Sequence, residues 1–295
     1  MKNKTILGHL QIILSSSLFG LMPLFTRIAY SYGATPITVA FTRCFYAAII
    51  LAIILPVFMK KNIFAITRED IVPMLKIAIP FGLIPIALFI SYTYLDTGMA
   101  TILFYTHPIF VMVLTILMYH KFPSTKQIIC MFLCILGIVL LNAIQGNIEF
   151  TGIIIAIAAG FIYSVYVIAC GQKEIEKIDP SVLSFWMNMF AAIEIGIIGI
   201  FSKQLVFVVD PQGQLSMFTL ALLASVFAVL LFQHGVLITG GLKASLLSTF
   251  EPLTSLFVGV LVFHELLSIR QWFGIALVLV SVILLVLPID KTKKA

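Results

Sequence analysis

Two stretches of this 295-residue chain place ionisable residues inside apolar runs long enough to cross a bilayer. One spans 244–265, with Glu251-Pro252 near its middle and His264-Glu265 at its end. The other spans 100–121, with His107-Pro108 near its middle and His120 near its end. An ionisable group at that depth costs on the order of several kcal/mol unless it faces protein, water or a bound solute. A carboxylate so placed can take up a proton on one side and release it on the other, or hold a substrate ammonium. A shift of 144 positions lays Pro252 on Pro108, His264 on His120 and Glu251 on His107, so the two stretches are copies.

Further polar and aromatic residues recur in the same way. Phe19 matches Tyr163 at this offset, and Phe89 matches Gln233. Tyr92 and Tyr94 follow Phe89, Tyr166 follows Tyr163, and His234 follows Gln233. A cavity lined by such rings, with one carboxylate and one histidine, suits an amphipathic or cationic solute. The candidate substrate-binding residues are therefore Glu251, His107, Phe19, Tyr92, Tyr163, Tyr166, Gln233 and His234. The bland alternative is that Glu251 and His107 form a structural pair holding two halves in register. Glu194, about thirteen residues into its own apolar run, joins Glu251 and His107 as a proton-coupling candidate. Arg43 lies at a similar depth, and a pair with Glu194 requires their two helices to be neighbours. Structural pairing or snorkelling toward the membrane surface is the favoured reading for Arg43. Pro108 and Pro252 each leave a carbonyl one turn earlier without its N–H partner, which suits a helix that bends or lines a cavity.

The elements that must position these residues are membrane helices. Hydrophobic residues make up 61% of the chain, charged residues 10%, and mean hydropathy is +1.16, which excludes ordinary soluble domains. Apolar windows fall at 7–30, 37–59, 71–94, 98–119, 126–142, 151–170, 181–201, 216–239, 242–263 and 270–288, each near the roughly 20 residues that a span needs. The offset of 144 persists along the chain: Gly8 matches Gly152, Pro36 matches Pro180, and Ser124-x-x-Gln127 matches Ser268-x-x-Gln271. That last pair reads as a capping box at the start of a helix in each half. The expected fold is all-α and integral to the membrane, with ten transmembrane helices as two five-helix repeats, residues 1–145 and 146–295. An odd number of spans per repeat inverts the second relative to the first.

Basic residues set the expected orientation. With the N-terminus inside, the inner segments hold Lys60, Lys61, Arg68, Lys121, Lys126, Lys173, Lys177, Lys243 and the lysines at both ends, and the outer ones only Lys203 and Arg270. Both termini are thus expected in the cytoplasm and the protein in the plasma (inner) membrane. The formal net charge of +6 belongs to this asymmetry rather than to nucleic acid. The apolar run after Met1-Lys-Asn-Lys-Thr is read as a retained first span, since no Ala-x-Ala exit follows it. Cys44, Cys130, Cys134 and Cys170 lack metal-ligand spacing and read as small buried hydrophobes. There is no Walker loop, Gly-x-Ser-x-Gly or His-Glu-x-x-His. No cofactor, metal or enzymatic activity is expected, so transport would draw on an ion gradient or on exchange.

The segment His264-Glu265-Leu-Leu-Ser-Ile-Arg-Gln271-Trp-Phe-Gly274 resembles the closing signature of the EamA repeat. Phe19-Gly20 stands where that family shows Trp-Gly, and Arg43 matches as well. The whole chain looks like a member of the drug/metabolite transporter superfamily. One copy departs, with Lys121 where the family has Glu, so the role of Glu265 is not duplicated and is read as structural. The resemblance implies secondary-active transport, with export of amino acids or related small metabolites and toxic compounds as the leading expectation, coupled to protons. The alternative within transport is import of a small, cationic metabolite. The alternative from another class is an intramembrane lipid-modifying enzyme, which would cluster Asp, His or Ser near one membrane face. Expected partners are a small-molecule solute and the lipid bilayer, with a homodimer open to such a chain.

Overall fold

A computed structural model describes residues 2–91, 94–95, 100, 103–141, 149–206, 210–263 and 267–286. All regular structure among these is helical. The first half contributes α1 (Lys2–Phe19), α2 (Met22–Ser31), α3 (Pro36–Val57), α4 (Arg68–Ser91), α5 (His107–Tyr119) and α6 (Thr125–Leu141). The second contributes α7 (Phe150–Cys170), α8 (Pro180–Phe201), α9 (Pro211–Thr239), α10 (Gly241–Leu247), α11 (Phe250–Phe263) and α12 (Ile269–Val286). Within α9, residues Ala221–Ala228 wind as a π-helix. Among the described residues seven stretches are long and apolar enough to cross a membrane: Lys4–Ser31, Pro36–Val57, Arg68–Leu88, Phe150–Cys170, Pro180–Phe201, Pro211–Thr239 and Gly241–Val262. α5, α6 and α12 are apolar but shorter.

The outer surface is apolar, with Phe132, Leu117, Ile200, Leu261 and Phe273 each more than half exposed. A surface of that kind is stable only against lipid. The interior carries serines and threonines that bond back to helical carbonyls, as Ser16 does to Ile12 at 2.8 Å and Thr42 to Thr38 at 2.7 Å. Ser15 instead reaches across to the Ala228 carbonyl at 2.7 Å, at the end of the π-helical stretch. There the widened winding frees backbone oxygens for outside donors.

Three apolar runs are broken rather than bent, a departure from the continuous helices expected above. α1 stops at Phe19 and α2 restarts at Met22, with Pro23 in its first turn. Tyr105 and Thr106 form a turn before α5, which begins at His107 with Pro108 second. Ser248 and Thr249 separate α10 from α11, which holds Glu251 and Pro252 in its first turn. The cause is the same at each: proline offers no N–H, and its ring clashes with the carbonyl one turn earlier, so the preceding helix ends. Proline is tolerated in the new first turn because those N–H groups have no intrahelical partner anyway. His107 and Glu251 therefore lie at the starts of half-helices rather than near the middle of unbroken ones.

The packing partners are α6 with α12, α4 with α7, α3 with α8 and α1 with the last part of α9. At the 144-residue offset α6 and α12 exchange places, as do α3 and α8, while the α4–α7 contact maps onto α9–α1. The α6–α12 seam is backbone against backbone. A Cβ on Gly274 would meet the Gly137 carbonyl oxygen at 2.8 Å and the Leu141 nitrogen at 2.9 Å. Both expected capping boxes are formed. Gln127 Oε1 accepts from the Ser124 nitrogen at 2.8 Å, and Gln271 Oε1 from the Ser268 nitrogen at 2.9 Å, with the reciprocal bonds at 3.3 Å. Thr35 and Asp179, also matched by the offset, cap α3 and α8 by accepting backbone N–H groups.

Candidate functional site

The break before α5 places His107 at the centre of the helix assembly, only 1% exposed. Its Nδ1 lies 2.8 Å from Ser245 Oγ on α10, while its Nε2 is buried with no hydrogen-bond partner in the protein. Rings surround it on several sides. Tyr163 of α7 lies 4.5 Å from the imidazole between centroids, and Phe104 and Tyr105, from the segment before the break, each lie 5.4 Å away. Tyr163 continues the wall to Tyr166 at 5.9 Å, and Tyr166 stacks on Phe232 of α9 at 5.7 Å. Tyr166 also meets Phe81 of α4 at 5.7 Å.

Glu251 enters the same neighbourhood from the other broken helix. The Tyr105 ring lies on the same side as its side chain, which is half-buried. The Tyr163 hydroxyl reaches Ser248 Oγ, in the break just before α11, at 3.4 Å. That break is held from behind by Thr249, whose hydroxyl lies 3.2 Å from Cys134 Sγ of α6, and Cys134 lies 3.0 Å from Ser281 Oγ of α12. All four cysteines are free and buried. The break between α1 and α2 closes on the start of α11: a Cβ on Gly20 would sit 2.7 Å from the Glu251 carbonyl oxygen, and Ser255 Oγ donates to the Gly20 carbonyl at 2.9 Å.

Of the residues singled out in the sequence, His107, Tyr163, Tyr166 and Glu251 are brought together, with Pro108 and Pro252 in the first turns that deliver them. Gln233 is buried but faces α8, its Nε2 lying 3.6 Å from Met187 Sδ. His234, expected beside it in the cavity, is exposed instead, because consecutive residues on a helix point about 100° apart. Phe19 ends α1 at the break and packs between two apolar clusters. Glu194 sits on α8 against Gly82 of α4, with Oε2 buried and without a hydrogen-bond partner. Arg43 neither snorkels nor pairs with Glu194. It is 5% exposed, its guanidinium 5.2 Å above the Phe81 ring, and among the described residues no ion pair links it to either carboxylate. Tyr92, His264 and Glu265 lie outside the described residues.

Sequence reasoning missed Tyr105, Phe104, Ser245, Phe81 and Phe232. Tyr105 had a readable signal, standing two residues before His107 in Tyr-Thr-His-Pro. The others are ordinary apolar or small residues that only the packing selects. Chemically, the arrangement is a ring-lined enclosure with a carboxylate, an imidazole nitrogen free to bond, and the starts of two half-helices, whose unpaired N–H groups favour negative charge.

The model of the EamA-like transporter family matches the chain twice, over residues 6–143 and 150–287. An uncharacterized transporter of Archaeoglobus fulgidus is 25% identical over 279 residues, covering 94% of this chain and 95% of the relative. The uncharacterized transporter YwfM of Bacillus subtilis is 27% identical over 177 residues, or 59% of each chain. A crystal structure of another protein, 15% identical, superposes with a TM-score of 0.79 over 94% of this chain and 95% of its own, which shows the shared fold. The double family match, the lipid-facing surface and the apolar helices agree: this chain is a multi-pass membrane transporter of the EamA-like transporter family.

Proposed function

We propose that this protein is a secondary-active exporter of amino acids or related small metabolites, coupled to protons through Glu251. The observation that carries this reading is the enclosure of His107 by Phe104, Tyr105 and Tyr163, with Glu251 delivered to it by a second broken helix. Discontinuous helices meeting at a central site are how secondary transporters bind a solute between two halves that rock against each other. The exchange of packing partners at the 144-residue offset supports two five-helix repeats, residues 1–145 and 146–295, related by an in-plane twofold. The basic residues support cytoplasmic termini in a plasma membrane.

In this mechanism the rings hold the apolar part of the solute and exclude water. The Glu251 carboxylate alternates between a proton and the solute as the cavity opens to one side and then the other. Glu251→Gln keeps the shape of the side chain and removes its change of charge. In proteoliposomes the variant should lose net transport driven by a pH gradient, while exchange persists once the solute concentration is raised to offset its weaker binding. Survival of pH-driven transport in folded Glu251→Gln protein would remove Glu251 from the coupling mechanism.

A further inference from the structure

Arg43 is the buried charge that the reading above leaves unused. Among the described residues its Nε has no hydrogen-bond partner, and its Nη1 reaches the Met22 thioether, a weak acceptor, at 3.9 Å. A guanidinium carries five N–H donors and cannot lose its charge to relieve burial. An unpaired ion is among the most unfavourable groups to bury, so a cation held there without an anion needs an explanation. The Phe81 ring supplies part of it, since the guanidinium carbon lies over its face at 5.2 Å. A ring face offers no hydrogen-bond acceptor to the donors that point outward along the guanidinium edge. That edge is the shape that binds a carboxylate through two parallel hydrogen bonds.

The guanidinium also belongs to the same enclosure. Phe81 meets Tyr166 at 5.7 Å, Tyr166 meets Tyr163 at 5.9 Å, and Tyr163 meets His107 at 4.5 Å, so one continuous wall of rings runs from Arg43 to His107. Glu251 stands in the first turn after the break that Tyr163 reaches through Ser248, and among the described residues no ion pair joins it to Arg43. A cation and an anion set apart along one wall of rings are complementary to a solute that carries both charges. We propose that Arg43 anchors the carboxylate of the transported solute while Glu251 receives its ammonium. This rests on the transporter reading above and narrows its cargo from amino acids and related small metabolites to zwitterions of the amino-acid type. A solute with only a positive charge would face Arg43 without a partner to offer it.

The purified full-length protein tests this by titration, with the twenty L-amino acids as probes and tryptophan fluorescence or thermal stability as the readout. At least one amino acid should bind saturably, and its methyl ester and its decarboxylated amine should bind at least tenfold more weakly. Arg43→Gln should bind the acid no better than the ester, and Arg43→Lys should recover part of the preference. Equal binding of acid, ester and amine to the unmodified protein would overturn the proposal, as would binding by none of the twenty. So would a preference for the acid that persists in Arg43→Gln. The comparison on the unmodified protein decides the matter even if Arg43→Gln does not fold. Amines that bind without need of Arg43 but are lost in Glu251→Gln would remove the anchor and leave the transport site intact. Amino-acid binding untouched by both Glu251→Gln and Tyr163→Ala would remove the site itself and the anchor with it.

Discussion

Ser245→Ala isolates the hydrogen bond that orients His107. Both residues are buried, at 0% and 1% exposure, and Ser245 Oγ lies 2.8 Å from Nδ1. Because Nε2 has no partner either, removal of the hydroxyl leaves both ring nitrogens unsatisfied inside the protein. An orphaned buried polar group costs about 1–3 kcal/mol, so Ser245→Ala should lower stability by that amount in detergent. His107→Phe keeps a ring within the cage and removes both nitrogens. In that background Ser245→Ala deletes a hydroxyl that has already lost its partner, and the cost should fall toward zero. The double-mutant cycle should therefore return a coupling of about 1–3 kcal/mol, within the range for residues in contact. Unfolding followed by the fluorescence of Trp186 and Trp272 gives the four stabilities. An equal cost of Ser245→Ala in both backgrounds would show that the serine does not act through His107.

Other consequences follow from the caps, the breaks and the loops. Asp179 both caps α8 and pairs with Lys61 at 2.7 Å; burial pushes its carboxyl up, but Lys61 and the Ser181 and Val182 N–H groups outweigh this and hold it below the usual range. Its contribution is therefore present above the unfolded value of about 3.9 and is lost as pH falls through the folded one. Being partly exposed, the ion pair is worth no more than about 1 kcal/mol, so Asp179→Asn should unfold close to the parent at pH 7, while Asp179→Ala loses about 1 kcal/mol more with the cap. Gly20→Ala places a methyl against the Glu251 carbonyl and the Thr254 side chain; an overpacking cost of about 1–3 kcal/mol is expected, with transport reduced beyond the loss of folded protein. Ser268→Ala opens the second capping box and should cost about 1 kcal/mol in thermal or denaturant unfolding. In a cysteine-free background, Ala65→Cys should react with impermeant reagent only from the cytoplasm and Gln204→Cys only from outside, and labelling of both from one side would defeat the inverted arrangement.

The parts of this fold that local chemistry determines were legible from residues alone. The two Ser-x-x-Gln boxes form as read, because a cap involves only neighbours in sequence. Pro108 and Pro252 fall at two of the helix breaks, but the sequence reads them as bends, and the break before α2 at Gly20–Leu21 went unseen. A proline can kink a helix or end it, and the choice depends on what packs at the freed carbonyls. Arg43 was misread for a related reason. Its depth along the helix is readable, but the direction of its side chain depends on Phe81, which is brought from α4 by tertiary packing. Gln233 and His234 show the limit most plainly: they are adjacent in sequence, yet one is buried against α8 and the other faces outward.

The glycine seam between α6 and α12 bears on how the molecule can move. Interfaces made of side chains have slack, because rotamers can change as two helices slide. Where the Gly137 carbonyl lies directly against Gly274, no rotamer exists to absorb a displacement. This stiff joint is also one whose two helices the repeat offset exchanges with each other, which makes it a natural fulcrum for any rocking of the two halves. A covalent cross-link between α6 and α12 should leave transport running, whereas one between α1 and α11, across the Gly20 contact, should stop it.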